Sequence, residues 1–199
     1  MKPNTSNDAR LKSYHERVLP SVQDAEDCFQ QLKLRLYNIN EWKNYFQSPV
    51  PEFVLLDKNA NLKKEIPEAG DYVKIDLPGP GSVAGEGFDW VVIDRVYEEN
   101  NPSEDSRELH IRVRPSTNPE NTGEETAHFY TEGSTSEFCG GRSGNVVYGW
   151  VMARGEEPNV KEATGWMDKL RNMVVGITAR AGMSEIQWEQ FIQSMLESD

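Results

Sequence analysis

One short segment, Leu109 to Arg114, carries titratable or cationic side chains at every second position. These are His110, Arg112 and Arg114, and the positions between them are apolar. Successive side chains of a strand point to opposite faces of a sheet, so a strand here would place the three polar groups on one face. On that face the three side chains could bind a carboxylate or phosphate. The competing interpretation, which the sequence favours, is a solvated outer face whose charges pair with acidic neighbours.

The three histidines, at positions 15, 110 and 128, show neither metal-ligand spacing nor a nucleophile partner. A Gly-x-Ser-x-Gly motif is also absent from the sequence. We therefore expect no metal site, no cofactor and no hydrolytic triad. His128 alternates with Tyr130 on a predicted strand, so a cyclase- or dehydratase-like enzyme using His128 with Tyr130 or Arg112 stays as a hypothesis. No catalytic residue can be assigned, and whether the chain is an enzyme stays open.

Two further patterns invite a chemical interpretation. The acidic pairs Glu98-Glu99, Glu124-Glu125 and Glu156-Glu157 could share a cation or shift one another's pKa. Each lies beside turn-forming residues, and we interpret all three as solvated loop charge. The glycine-rich segment 78–87 could approach a phosphate, but neither a Lys-Ser/Thr pair nor a helix follows it. It is interpreted as a turn between two strands.

The overall composition limits the class of protein. The chain has 199 residues, of which 37% are hydrophobic, enough for one folded domain. Its formal net charge of −12 repels phosphate backbones and anionic membranes, so we expect no nucleic acid and no membrane partner. The first thirty residues hold no apolar run of signal-peptide length, which predicts a cytoplasmic protein. The two cysteines, Cys28 and Cys139, are expected to stay unpaired.

Hydrophobic periodicity predicts an α+β protein with a disordered N-terminus over residues 1–8 and a single domain over residues 9–199. Helical spacing marks two consecutive helices within 24–46, a long helix over 163–181, and a final helix over 184–197 that begins at a capping box. Between them lie short strand-like runs at 53–56, 71–77, 88–98, 109–114, 126–132 and 146–152, with another around Phe138. This order predicts a curved antiparallel sheet of about six or seven strands gripping the long helix over 163–181, with N-terminal helices and one extra terminal helix.

The order of these elements resembles that of a known superfamily. Four segments carry the resemblance: the helical stretch ending in Asn40-Glu41-Trp42-Lys43-Asn44-Tyr45, then Phe53-Val54-Leu55-Leu56-Asp57, Gly70-Asp71-Tyr72-Val73-Lys74-Ile75 and the strand over 88–98. Together they resemble the polyketide-cyclase/START-like (helix-grip) superfamily. The resemblance makes Val18 to Val22 the first strand and 163–181 the gripped helix. It implies a cavity between sheet and helix for a lipid-like or aromatic molecule, in a superfamily that holds both carriers and enzymes.

Our leading functional hypothesis is binding of a small apolar or amphipathic ligand in that cavity. The predicted ligand-binding residues are large side chains with apolar bodies: Trp90, Phe129, Tyr148, Trp150, Trp166 and Leu170. The alternative is a protein-interaction module, in which the helix over 184–197 docks a partner or a second copy through Trp188, Phe191, Ile192 and Met195. A homo-oligomer is compatible with that alternative.

Overall fold

The computed structural model describes residues 9–47, 50–76, 85–121, 127, 133–155 and 187–197. Its strands are β1 (Ala9–Val18), β2 (Glu52–Leu56), β3 (Tyr72–Asp76), β4 (Asp89–Asn101), β5 (Ser106–Pro115), β6 (Thr135–Ser143) and β7 (Val146–Arg154). Its helices are α1 (Val22–Tyr37) and α2 (187–197), with 3₁₀ helices at Ile39–Tyr45 and Pro102–Glu104. The predicted disordered N-terminus and the predicted helix over 163–181 lie outside the described residues. The α+β fold class is confirmed.

The seven strands form one curved sheet in the order β1-β7-β6-β5-β4-β3-β2. Every neighbouring pair is antiparallel. The predicted antiparallel sheet is therefore confirmed, and the strand expected around Phe138 is β6. Apart from Ala127, the strand predicted over 126–132 lies outside the described residues.

The placement of the first strand over Val18 to Val22 is wrong. The first strand is β1, which ends at Val18, and Val22 already begins α1. The charged residues of β1 have low strand propensity, so the sequence pattern did not predict this strand. Among the described strands it lies at the edge and pairs with β7 alone, and charged side chains at an edge are a common protection against further pairing.

The two predicted N-terminal helices are confirmed as α1 and the 3₁₀ helix Ile39–Tyr45. Ser21 caps α1, because its hydroxyl oxygen accepts a hydrogen bond from the backbone N–H of Asp24 at 3.1 Å. The Trp42 indole N–H donates to the Leu36 carbonyl at 3.1 Å and so joins the two helices at the bend. These local bonds fix the angle at which the helices lie on the sheet.

The main hydrophobic core lies between one face of the sheet and the helices α1, Ile39–Tyr45 and α2. On α2, Phe191, Ile192 and Met195 are fully buried, and Trp188 packs partly buried against the same core. The apolar face proposed above as a docking surface is thus covered by this chain itself. The predicted capping residue Ser184 lies outside the described part of α2. None of the helices described is long and apolar enough to cross a membrane.

A glycine in β6 allows α1 to approach the sheet closely. A Cβ atom on Gly140 would lie 2.7 Å from Leu36 Cδ1 and 2.8 Å from Leu32 Cδ2. Because both leucine side chains are buried, they cannot move aside without disturbing the core. The close approach therefore depends on glycine at this position.

We expect Gly140→Ala to lower the free energy of unfolding by about 1–3 kcal/mol, the usual cost of overpacking a core. Urea denaturation monitored by tryptophan fluorescence measures the change. Gly133→Ala is the matched control, because a Cβ there meets no atom within 4 Å. Equal stability of the Gly140→Ala variant and the wild type would contradict the close packing of α1 on β6.

Candidate functional site

A polar cluster lies on the face of the sheet opposite the helices. In β5, Leu109 and Ile111 point into the main core, and His110 between them points to the other face. The register pairs His110 with Cys139 of β6, and pairs Tyr97 of β4 with His110 on its other side. Three neighbouring strands therefore bring side chains together that are far apart in the sequence.

His110 is held between two glutamates. Its Nδ1 atom lies 3.1 Å from Glu137 Oε1, and its Nε2 atom lies 3.1 Å from Glu108 Oε2. Nε2 also lies 3.9 Å from the sulfur of Cys139. The His110 side chain is only 7% exposed, so these contacts form in a largely dehydrated environment. Both ring nitrogens are thus engaged by the protein.

Aromatic residues enclose this histidine. The Tyr97 ring stacks on the imidazole at 4.5 Å between centroids, and the Trp150 ring meets its edge at 5.6 Å. The hydroxyl of Tyr97 donates to Glu137 at 3.0 Å, and that of Tyr148 donates to Glu108 at 2.5 Å. Each glutamate therefore accepts one hydrogen bond from a tyrosine in addition to its contact with His110.

The electrostatics of the cluster favour an imidazolium between two carboxylates. Burial acts against the charged ring, but contacts with Cys139, Glu108 and Glu137 outweigh it and raise the pKa of His110 to about 12. The hydrogen bond from His110 lowers the pKa of Glu108. Burial raises the pKa of Glu137, yet the bonds from His110 and Tyr97 outweigh it and lower that pKa overall. Burial raises the pKa of Cys139 to about 12, so the thiol is neutral and the carboxylates supply the charge that holds His110.

The outer-face interpretation of segment 109–114 is correct for the two arginines and wrong for the histidine. Arg112 and Arg114 both pair with Asp94, at 2.7 and 3.9 Å, and all three side chains are about one-third exposed or more. His110 lies on the same side of β5 but is buried in the cluster. Arg112 thus forms a surface ion pair. The other residues of the enzyme hypothesis, His128 and Tyr130, lie outside the described residues.

The predicted ligand-binding residues fall into three groups. Tyr148 and Trp150 come together in the cluster with Cys139, on the face away from the helices. Trp90 is fully buried in a separate small cluster with Leu56 and Ala127. Phe129, Trp166 and Leu170 lie outside the described residues.

The sequence argument missed Tyr97, Glu108, Glu137 and Cys139. The available signal was the spacing Glu108-x-His110, which puts a carboxylate and an imidazole on one face of a strand. The partners from β4 and β6 could not be identified, because they meet His110 only through strand register. Register is set by the folded sheet and not by any local spacing.

An acidic groove of about 230 Å³ opens beside the cluster. Its lining residues are mostly polar: Glu99, Asn101, Glu104, Ser106, Arg107, Glu108, Ser143 and Tyr148. Glu99 in β4 is the direct cross-strand partner of Glu108 in β5. Like charges directly opposite each other destabilise a sheet, and His110 offsets the charge of Glu108 on the side away from the groove.

Two charged residues near the groove, Arg107 and Glu98, are engaged by α1. Arg107 is not available to neutralise Glu99, because its guanidinium donates to Glu26 of α1 at 2.7 Å. Glu98 points to the helices instead, with its carboxylate 2.6 Å from Lys33 Nζ. The interpretation of Glu98-Glu99 as loop charge is therefore wrong, since both lie within β4. The other two acidic pairs, Glu124-Glu125 and Glu156-Glu157, lie outside the described residues.

The helix-facing side of the described sheet is filled by aromatic side chains. Phe191 stacks on Phe46 at 4.6 Å and meets Trp42 at 5.2 Å. Phe138 of β6 packs on Trp42 at 4.8 Å and on Trp188 at 5.2 Å. The groove on the opposite face is consequently the better-supported candidate binding site in the described part of the molecule.

Comparisons with known proteins show only distant similarity. No family model matches the chain, and no curated protein matches it. A solved structure of a hypothetical protein from Helicobacter pylori is 10% identical over 91% of this chain and 85% of that chain, with a TM-score of 0.42. A point mutant of norcoclaurine synthase from Thalictrum flavum, in complex with a transition-state analogue, is 10% identical over 98% of both chains, with a TM-score of 0.33.

A second norcoclaurine synthase structure from Thalictrum flavum, in complex with dopamine and hydroxybenzaldehyde, is 8% identical. It covers 96% of this chain and 88% of that chain, with a TM-score of 0.32. Similarities at this level do not assign the chain to a family.

Proposed function

We propose that this protein binds a small amphipathic molecule, and that its ligand is an organic amine whose cationic group enters the acidic groove. The observation that carries the proposal is the cross-strand pair of Glu99 and Glu108 at the wall of this groove. Glu104 adds a third carboxylate to the same lining. An ammonium group placed there gains the nearby charges of Glu99 and Glu104, beside the Glu108 carboxylate that His110 already contacts.

The rest of the groove supports a ligand with an apolar part. The ring of Tyr148 borders the groove and is backed by Tyr14 of β1, so the mostly polar lining includes one aromatic ring that a ligand can contact. A volume of about 230 Å³ suits a molecule with one ring and a short amine arm. The net charge of −12 favours a cationic ligand over an anionic one at long range.

Calorimetric titration of chelator-treated protein with benzylamine, compared with benzyl alcohol, tests this proposal. Benzylamine carries an ammonium group, and benzyl alcohol is a neutral molecule of similar shape. We expect benzylamine to bind and benzyl alcohol to bind at least tenfold more weakly, because hydrogen bonds to charged groups are worth about 1.5–3 kcal/mol. The affinity for benzylamine should also fall as salt is added.

The variant Glu99→Gln should weaken benzylamine binding about tenfold or more, since it removes one carboxylate and keeps the shape of the side chain. Glu65→Gln is the matched control, because Glu65 is exposed and does not line the groove. Equal binding of benzylamine and benzyl alcohol would show that charge does not select the ligand. No binding of either, or no effect of Glu99→Gln, would overturn the proposal.

A further inference from the structure

We infer that Glu108, His110 and Cys139 form a binding site for a divalent transition-metal ion such as Zn²⁺, with Glu137 as the residue that orients the imidazole. The inference does not rest on amine binding in the groove, although Glu108 belongs to both sites. It rests on the convergence of three different donor types, a carboxylate oxygen, an imidazole nitrogen and a thiol sulfur, at one point between β5 and β6.

The donor atoms lie close enough together to bind one ion after a small movement of the side chains. The three atoms lie within 4.8 Å of one another. His110 Nε2 is 3.1 Å from Glu108 Oε2 and 3.9 Å from Cys139 Sγ. Tetrahedral zinc with its usual bond lengths separates nitrogen from oxygen by roughly 3.3 Å and nitrogen from sulfur by roughly 3.5 Å. The Glu108 oxygen and the Cys139 sulfur lie within 4.8 Å, against roughly 3.5 Å in tetrahedral zinc, so closing the site requires a movement of about 1 Å on the sulfur side.

The surroundings of His110 match those of a metal-binding histidine. In such sites the ring nitrogen that does not bind the metal usually donates to a carboxylate, which fixes the tautomer and the orientation of the ring. Here Nδ1 lies 3.1 Å from Glu137 Oε1, and Glu137 is itself held by the hydroxyl of Tyr97. Nε2 then faces Glu108 and Cys139, as coordination requires.

The groove gives the ion a route to this site. Glu108 and Tyr148 belong both to the groove lining and to the cluster, so the carboxylate of Glu108 connects solvent with His110. Cys139 is fully buried behind it. Three protein ligands leave the fourth position of a tetrahedral ion for water or for a small molecule entering from the groove.

Cobalt titration of the Cys28→Ser variant tests the inference. Cys139 is then the sole thiol, and Cys28 lies on α1 away from the cluster, so folding of the cluster is left undisturbed. We expect chelator-treated protein to bind one equivalent of Co²⁺, with visible bands of a tetrahedral ion and a thiolate-to-metal charge-transfer band. Competition with Zn²⁺ should remove both signals.

Variants of the cluster separate ligands from the positioning residue. Cys139→Ser should abolish the charge-transfer band, and Glu137→Gln should keep it while weakening Co²⁺ binding about 10–100-fold. His15→Gln, a change to a histidine outside the cluster, should alter neither signal. Absence of the charge-transfer band in Cys28→Ser protein would overturn the inference, as would retention of the band after Cys139→Ser.

Discussion

Replacing His110 with leucine in the chelator-treated protein is expected to lower the free energy of unfolding by about 3–5 kcal/mol. The histidine separates Glu108 from Glu137, with one ring nitrogen 3.1 Å from each carboxylate. Without the imidazolium, two carboxylates would remain in a largely buried site with no counter-charge. Breaking a buried ion pair in this way costs far more than the pair itself contributes.

Urea denaturation at neutral pH gives the change, and two further variants make the result specific. His15→Leu removes a partly exposed histidine that pairs with Glu197 at 3.4 Å, and it should cost roughly 1 kcal/mol or less. Combining His110→Leu with Glu108→Gln and Glu137→Gln should recover most of the loss, because the uncompensated charges are gone. A loss of less than about 1 kcal/mol in His110→Leu, or no recovery in the triple variant, would contradict the charge pairing of His110 with Glu108 and Glu137.

The sequence predicted the elements of this fold better than the contacts between them. Alternating apolar residues identified β3, and a continuous run rich in strand-forming residues identified β4, from local pattern alone. β1 was missed since its side chains are mainly polar and it is held by backbone pairing with β7. A strand of that kind has no period-two signal strong enough to separate it from an irregular segment.

The candidate site also shows that contacts between strands could not be predicted from the sequence. His110 was singled out from its alternation with apolar residues, and the face it occupies was correctly predicted. Its burial was not, because that depends on Tyr97 and Trp150 closing over it from β4 and β7. Those contacts require the order of the strands and the register of three pairings, none of which follows from spacing within one segment.

The polar cluster around His110 and the acidic groove share one carboxylate, that of Glu108, and this links the two proposals physically. Glu108 accepts hydrogen bonds from Tyr148 and His110 while it faces Glu99 across the strand pair. An ammonium group near Glu99 would act on the side of Glu108 toward the groove, and a metal ion would act on the side toward His110. Measuring Co²⁺ binding with and without benzylamine would therefore show whether the two cations assist or exclude each other.

The second large effect is expected from Phe191→Ala in α2, which should lower the free energy of unfolding by about 3–5 kcal/mol. Phe191 is fully buried and contacts Trp42 of the 3₁₀ helix, Phe46 just after that helix, and Phe138 of β6. Truncation would leave a cavity at the centre of the helix-facing core. Gln193→Ala on the exposed side of the same helix is the control, and its effect should stay within about 0.5 kcal/mol.

The same variant decides between two roles of α2. If its apolar face serves this chain's own core, Phe191→Ala changes stability and leaves the mass in sedimentation equilibrium unchanged. If that face instead docks a partner or a second copy, the variant dissociates a complex while the folded monomer keeps its stability. The ring contacts within the chain favour the first outcome, because a side chain surrounded by its own core has no surface left for a partner.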